Sequence, residues 1–246
     1  MNHLIIDSGN TLAKVAIFRH NEIISQASGP HNDWTFLFQL LHDHPPLQGI
    51  MISDVSDSTR HIVDTLSKLA PVMYMHAGIG TPLTIDYQTP ETLGSDRLAA
   101  AVAAYTLFPG KPLLVIQMGT CITYEFVSAD AKYLGGAISP GLDMRFKAMH
   151  TFTARLPLVK KEEIDFIVGK NTHQAILSGV INGCIAEIDG IIDEYRNRYE
   201  QLQVVVGGGD TFFFDKKLKN RIFATENLVL RGLNEVLKFN HVDFEK

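Results

Sequence analysis

Cysteine is nearly missing from this chain. Cys121 and Cys184 are the only two in 246 residues, too few for a disulfide framework and without metal-ligand spacing. An excess of positive charge is missing too: 22 Lys and Arg stand against 27 Asp and Glu, for a formal net charge of −5. No Lys/Arg-rich run offsets that balance, so the electrostatic signature of a nucleic-acid or membrane-surface binder is absent. A local basic pocket for phosphates remains compatible with it. No uninterrupted apolar run approaches the ~18 residues that span a bilayer. The opening Met1-Asn2-His3-Leu4-Ile5-Ile6-Asp7 has neither a basic stretch nor a small-residue cleavage site, so we expect no signal peptide and a cytoplasmic chain. Low-complexity segments and short-period repeats are also lacking, which excludes a solenoid. Neither a Walker A loop nor a G-x-G-x-x-G fingerprint occurs.

What is present is a repeated alternation of strand and helix. Leu4–Ile6, Leu12–Phe18 and Glu22–Ile24 read as strands separated by small polar turns. A helix over about 33–42, a strand over 49–53, a helix over 56–69 and a strand over 72–75 follow. An alanine-rich helix starts near Ser95 and stops at Pro109-Gly110. The opening pattern then recurs: strands over 113–116, 121–127 and 133–138, a long helix over about 171–200, a strand over 204–206 and a final helix over about 226–238. The order predicts an α/β fold of mixed sheets flanked by helices, in two similar lobes, 1–110 and 111–246.

Chemistry concentrates in the turns. In Asp7-Ser8-Gly9-Asn10-Thr11, with Lys14 three residues on, a glycine admits close backbone approach. Turn amides with Asn and Thr side chains form a concave donor set for phosphate oxygens. Asp7 would repel a phosphate directly, so its reasonable role is to hold Mg²⁺ or its waters. A plain hairpin turn accounts for the same residues. Gly119-Thr120-Cys121-Ile122-Thr123 occupies the matching turn of the second half, and two such turns facing across a cleft would grip a polyphosphate. Gly94-Ser95-Asp96-Arg97 opens the alanine-rich helix. Ser95 as an N-cap and Asp96 against the helix dipole explain it structurally. The functional reading is a hydroxyl-orienting Asp96, a weak base of the kind phosphoryl transfer tolerates, beside an anion-binding Arg97. The glycine clusters 135–141 and 207–209 suit close approach to a nucleotide, or to a neighbouring element. His42-Asp43-His44 reads as a solvated helix end, and Phe212-Phe213-Phe214 as core or interface.

Taken together, these motifs resemble the type III pantothenate kinases of the acetate kinase/Hsp70/actin superfamily. Asp7-Ser8-Gly9-Asn10-Thr11-Leu12-Ala13-Lys14 is similar to that family's D-x-G-N-T-x-x-K, and Gly94–Arg97 to its G-x-D-R. Gly119–Thr123 resembles most of D-x-G-T-A-x-T-x-D, and Gly135–Gly141 resembles G-G-x-I-x-P-G. The resemblance implies two RNase H-like lobes with an ATP cleft between them. It also implies a homodimer and ATP-dependent phosphorylation of the primary hydroxyl of pantothenate, the first step of coenzyme A synthesis. By the same resemblance Asp7 through Lys14 and Thr120 contact ATP, with Asp7 also meeting Mg²⁺. Asp96 is then the proton acceptor, and Tyr87, Gly94, Ser95, Asp96, Arg97 and Thr172 surround pantothenate. Two positions depart from the pattern. The family's first Asp in the second motif, implied to ligate K⁺ or NH₄⁺, is Gln117 here, and its last Asp is Glu125. Gln117 offers either a carbonyl oxygen to the ion or an NH₂ to a phosphate, so a weakened or absent K⁺ dependence is expected. A non-catalytic relative binding nucleotide or a protein partner, like a Bvg accessory factor, is the alternative those departures raise.

Overall fold

The computed structural model describes residues 1–9, 12–42, 44, 46–55 and 57–241. The chain forms two compact units. The first comprises Met1–Gly110, Asp130–Leu134 and the segment from Asn227 onward; the second comprises Lys111–Ala129 and Gly135–Glu226.

In the first unit, β1 (Asn2–Ser8), β2 (Leu12–Arg19), β3 (Glu22–Pro30), α1 (Thr35–Leu41), β4 (Gly49–Asp54), α2 (Arg60–Leu66) and β5 (Val72–Tyr74) follow the anticipated order. They make a five-stranded sheet, β3-β2-β1-β4-β5. The hairpin partners are antiparallel, while β1, β4 and β5 run parallel. Alternation decides what each face does. Leu4, Ile6, Val15, Ile17, Ile50 and Ile52 point one way and bury Trp34, Leu37, Ile62 and Leu66. His3, on the other face, pairs its Nδ1 with Asn234 Oδ1 at 2.8 Å. Asn234 belongs to α7 (Leu228–His241), which packs with α3 (Ser95–Leu107) on that face. The helix α3 is buried from Arg97 through Ala104, the all-round burial its apolar run demands.

Small side chains let α3 and α7 approach backbone to backbone. A Cβ on Gly232 would lie 1.8 Å from the Ala99 carbonyl oxygen, so the helices can touch there only through a glycine. Gly232→Ala is expected to lower stability by about 1–3 kcal/mol despite alanine's better helix propensity. Urea unfolding checks it, and an unchanged midpoint would mean that the two helices part without cost.

The second unit contains β7 (Leu113–Met118), β8 (Cys121–Val127), most of β9 (Lys132–Pro140), α4 (Leu142–Thr151), α5 (Thr172–Arg198), β10 (Gln203–Gly207), α6 (Thr211–Phe214) and β11 (Phe223–Ala224). β7 is flanked by antiparallel β8 and parallel β10. Leu114, Ile116, Ile122, Tyr124 and Val206 form a core with Phe146 of α4, Phe214 of α6 and Ile181, Cys184 and Ile188 of α5. The 27-residue α5 is long and apolar enough to cross a membrane by composition, and its buried stripe from Ile176 to Ile192 is what this core packs against. Asn171 caps it, accepting from Gln174 N–H at 2.9 Å.

Several elements differ from the sequence-based expectation. The helix read over 56–69 spans Arg60–Leu66, with Ser56 outside the described residues. The strand β6 (Thr84–Ile85) and the helices α4 and α6 were unanticipated. Ser95 is not the cap of α3: Gly94 holds that position, and no side chain caps the helix. Asp43 lies outside the described residues. Both glycine clusters meet neighbouring strands. A Cβ at Gly136 would lie 1.6 Å from the Tyr124 carbonyl oxygen, and one at Gly208 would lie 2.2 Å from that of Met118. Of the three phenylalanines, Phe214 is core and Phe212 exposed.

Candidate active site

Strand register assembles a polar row in the first unit. Asp7 of β1 stands opposite Lys14 on one side and Ser53 on the other, and Lys14 stands opposite Ser28. Directly paired residues project from the same face, here the face that carries α3 and α7. The Ser53 hydroxyl donates to the Asp7 carboxyl and lies 2.8 Å from Ser95 Oγ in the first turn of α3. Asp96 follows at once, its Oδ1 folded so close over Gly94 that a Cβ there would meet it at 2.7 Å. Arg97 is buried behind it. A cavity of about 220 Å³ opens beside Lys14, lined also by Gln26, Ser28 and Asn227.

The electrostatics of this row are unbalanced. Burial and then the nearby charge of Asp96 push the Asp7 carboxyl up to about 7, against the opposing pull of Lys14 and the Ser53 hydroxyl. Two carboxylates crowded beside one lysine favour a further cation. That is the donor chemistry a hard divalent ion takes.

The remaining candidates fall in several places. Gly9 closes the β1–β2 turn, donating its N–H to the Leu12 carbonyl at 3.1 Å; Asn10 and Thr11 lie outside the described residues. Ser8 points to the opposite face from Asp7, fully buried, with its Oγ 2.7 Å from Ser58 Oγ. Ala13 is buried and Leu12 exposed. The side chains of Ser8, Leu12 and Ala13 therefore serve packing and surface, and these three residues have only their backbone left for a ligand. Tyr87 sits edge-on to Tyr133, with ring centroids 6.0 Å apart. Thr120 and Thr172 belong to the second unit, both exposed, the latter at the first residue of α5.

In the second unit the Thr120 turn is held from behind. The Gly141 N–H donates to the Thr120 carbonyl at 3.0 Å, and a Cβ on Gly141 would strike the Gly119 carbonyl oxygen at 2.1 Å. Glu187 and Arg145, which no motif marked, brace this contact. Glu187 of α5 accepts from Ser139 Oγ at 2.6 Å, from Arg145 Nη2 at 2.6 Å and from the Tyr124 hydroxyl at 3.2 Å. Arg145 Nε also donates to the Pro140 carbonyl at 2.8 Å. Burial pushes the Glu187 carboxyl up, yet the bonds from Ser139 and Arg145 outweigh it and hold it below the usual carboxylate range.

A carboxyl lowered on folding stabilises only while ionised. Its contribution is present above the unfolded value of 4.5 and lost as pH falls through the lower folded one. Glu187→Gln is expected to cost about 1–2 kcal/mol at neutral pH. In urea titrations at a series of pH values, the gap from the unsubstituted chain should narrow once pH drops below 4.5. A gap independent of pH would show that the carboxylate charge is irrelevant. Ser53 was likewise missed: only the parallel pairing of β4 with β1 brings it to Asp7.

The chain is similar over nearly its whole length to known proteins. The family model of type III pantothenate kinases matches residues 3–194. The type III pantothenate kinase of Bacteroides fragilis is 45% identical over 240 residues, covering 97% of this chain and 98% of its own. That of Christiangramia forsetii is 40% identical over 239 residues, with 97% and 98% covered. Among solved structures, a Baf-family protein from Campylobacter jejuni has a TM-score of 0.62 at 21% identity, covering 97% of this chain and 99% of its own. The activator of 2-hydroxyisocaproyl-CoA dehydratase from Clostridium difficile has 0.56 at 11%, covering 100% and 98%. At such identities the structures speak for the fold, an α/β arrangement of two sheets flanked by helices. The full-length sequence matches speak for descent, and by them this chain belongs to the type III pantothenate kinase family.

Proposed function

We propose that this chain transfers the γ-phosphoryl group of ATP to the primary hydroxyl of pantothenate, the entry step of coenzyme A synthesis. Asp96 takes the hydroxyl proton as the oxygen forms its bond to the γ-phosphorus. The bond from that phosphorus to the bridging oxygen breaks, and ADP leaves. The transition state is loose and asks mostly for positioning, which a carboxylate fixed in the first turn of α3 supplies. The row of Ser53, Asp7 and Lys14 beside Asp96 is the single observation that carries this reading. Arg97, Ser95, Gly94, Tyr87 and Thr172 contact pantothenate, and the Asp7–Lys14 turn and Thr120 contact the triphosphate.

Mg²⁺ fits the crowded carboxylates. Asp7 would hold it, directly or through water, and the ion would offset charge on the phosphate oxygens. For K⁺ or NH₄⁺ the residues do not fit, because the side-chain atom shut in at Gln117 is an uncharged amide donor. A homodimer in the cytoplasm, with no nucleic acid or membrane involved, completes the proposal. Phe152, Ile167 and Val168, from 76% to 85% exposed, support a second copy as partner. The test is pantothenate-dependent ADP release at millimolar Mg-ATP. No release at all would overturn it in favour of a non-catalytic nucleotide binder, and release without phosphopantothenate would overturn it in favour of an ATPase.

A further inference from the structure

Buried polar atoms without partners are rare in native proteins, and each calls for an explanation. Among the described residues of the second unit, Gln117 Nε2, Thr123 Oγ1 and Thr211 Oγ1 are such atoms. They are close in the fold. Gln117 and Thr123 are direct partners across β7 and β8, and their side chains share a face. The other neighbour of Gln117 is Gly207, which has no side chain to satisfy it. Thr211 follows Asp210, whose N–H donates to the carbonyl of Met118, the residue after Gln117. Thr123 is 9% and Thr211 3% exposed. This end of the sheet therefore presents the amide NH₂ of Gln117, which can only donate, and the hydroxyl of Thr123, which can donate or accept, with no charge between them.

A monovalent cation needs several oxygen acceptors, best with a carboxylate among them, and the amide nitrogen of Gln117 supplies none. Glu125, an acidic side chain on that face, is fully buried and stands two residues further along β8, about 7 Å away at the strand repeat. An oxygen-rich anion suits the donors.

We propose that Gln117 and Thr123 donate hydrogen bonds to a phosphate oxygen of bound nucleotide, and that nucleotide binding by this chain is thereby indifferent to K⁺. The proposal rests on the reading of this turn as part of an ATP site. Two neutral donors take up negative charge where a carboxylate would first need a cation between itself and the phosphate.

The test measures binding rather than turnover: calorimetric titration of the full chain with a non-hydrolysable Mg-ATP analogue at constant ionic strength, with K⁺ exchanged for tetramethylammonium. The unsubstituted chain should show the same Kd within about twofold in both salts. Gln117→Leu and the shape-conserving Thr123→Val should each bind roughly tenfold more weakly, equally in both salts. Gln117→Asp should bind poorly without K⁺ and recover with it. If Gln117→Leu does not fold, Thr123→Val decides alone. Tightening of the unsubstituted chain by fivefold or more in K⁺ would overturn the proposal and leave the kinase reading standing, as would undiminished binding by Thr123→Val. No nucleotide binding in either salt would remove both.

Discussion

Asp96→Asn is expected to lower pantothenate phosphorylation by about 10²–10⁴-fold, the usual contribution of a positioned general base. The substitution keeps size and shape, so the amide can occupy the space over Gly94 that the carboxylate fills now. What it cannot do is accept a proton from an alcohol. The loss of charge beside the N-terminus of α3 removes about 0.3–1 kcal/mol of dipole stabilisation. Relief of the repulsion between Asp96 and Asp7 acts in the other direction. Thermal unfolding should therefore barely move, and calorimetry should find the ATP analogue bound as before. Product formation is followed by coupled ADP release, with pantothenate varied. The expected signature is a fall in kcat with little change in KM for either substrate. An Asn variant with full turnover would take Asp96 out of the chemistry.

The parts of this site that were legible in the sequence are those built by local chain geometry. Asp7 and Lys14 flank one short turn, so their pairing follows from the hairpin. Gly94 to Arg97 form one helix start, so Asp96 comes with it. Residues brought in by non-local pairing carried no signal. Ser53 reaches Asp7 through a parallel strand pair, and a serine in a buried strand looks the same whichever neighbour it faces. Glu187 sits in a long, largely apolar helix, where an acid reads as surface; only the fold turns it toward Ser139, Tyr124 and Arg145. The helix α4 follows directly on the glycine cluster 135–141, and no side chain caps its start to announce it. Gly135 and Gly136 lie in a strand, where Gly136 leaves room for the Tyr124 backbone. That α7 packs on α3 was equally silent, since the contact depends on one glycine and a run of alanines far apart in the chain.

Asp7→Asn should separate stability from activity. The Asp7 carboxyl rises from an unfolded value of 3.8 to about 7 on folding, through burial and the charge of Asp96. The sign is the reverse of that for Glu187. Between these values the folded state binds more protons than the unfolded one, so stability falls as pH rises through that window and stays low above it. A difference of about three pH units corresponds to at most about 4 kcal/mol. In the ligand-free chain, with EDTA present, Asp7→Asn is expected to unfold at higher urea than the unsubstituted chain at pH 8. It should show no such advantage below 3.8, where both side chains are neutral. Activity should move the other way, falling by about 10²-fold or more even at saturating ATP, because an amide is a poor ligand for Mg²⁺. Adding Mg²⁺ with the ATP analogue should then raise the stability of the unsubstituted chain by more than that of the variant. A variant that is less stable at pH 8 and still turns over would contradict both halves. A carboxylate that weakens the empty fold fits a group whose partner arrives with the substrate.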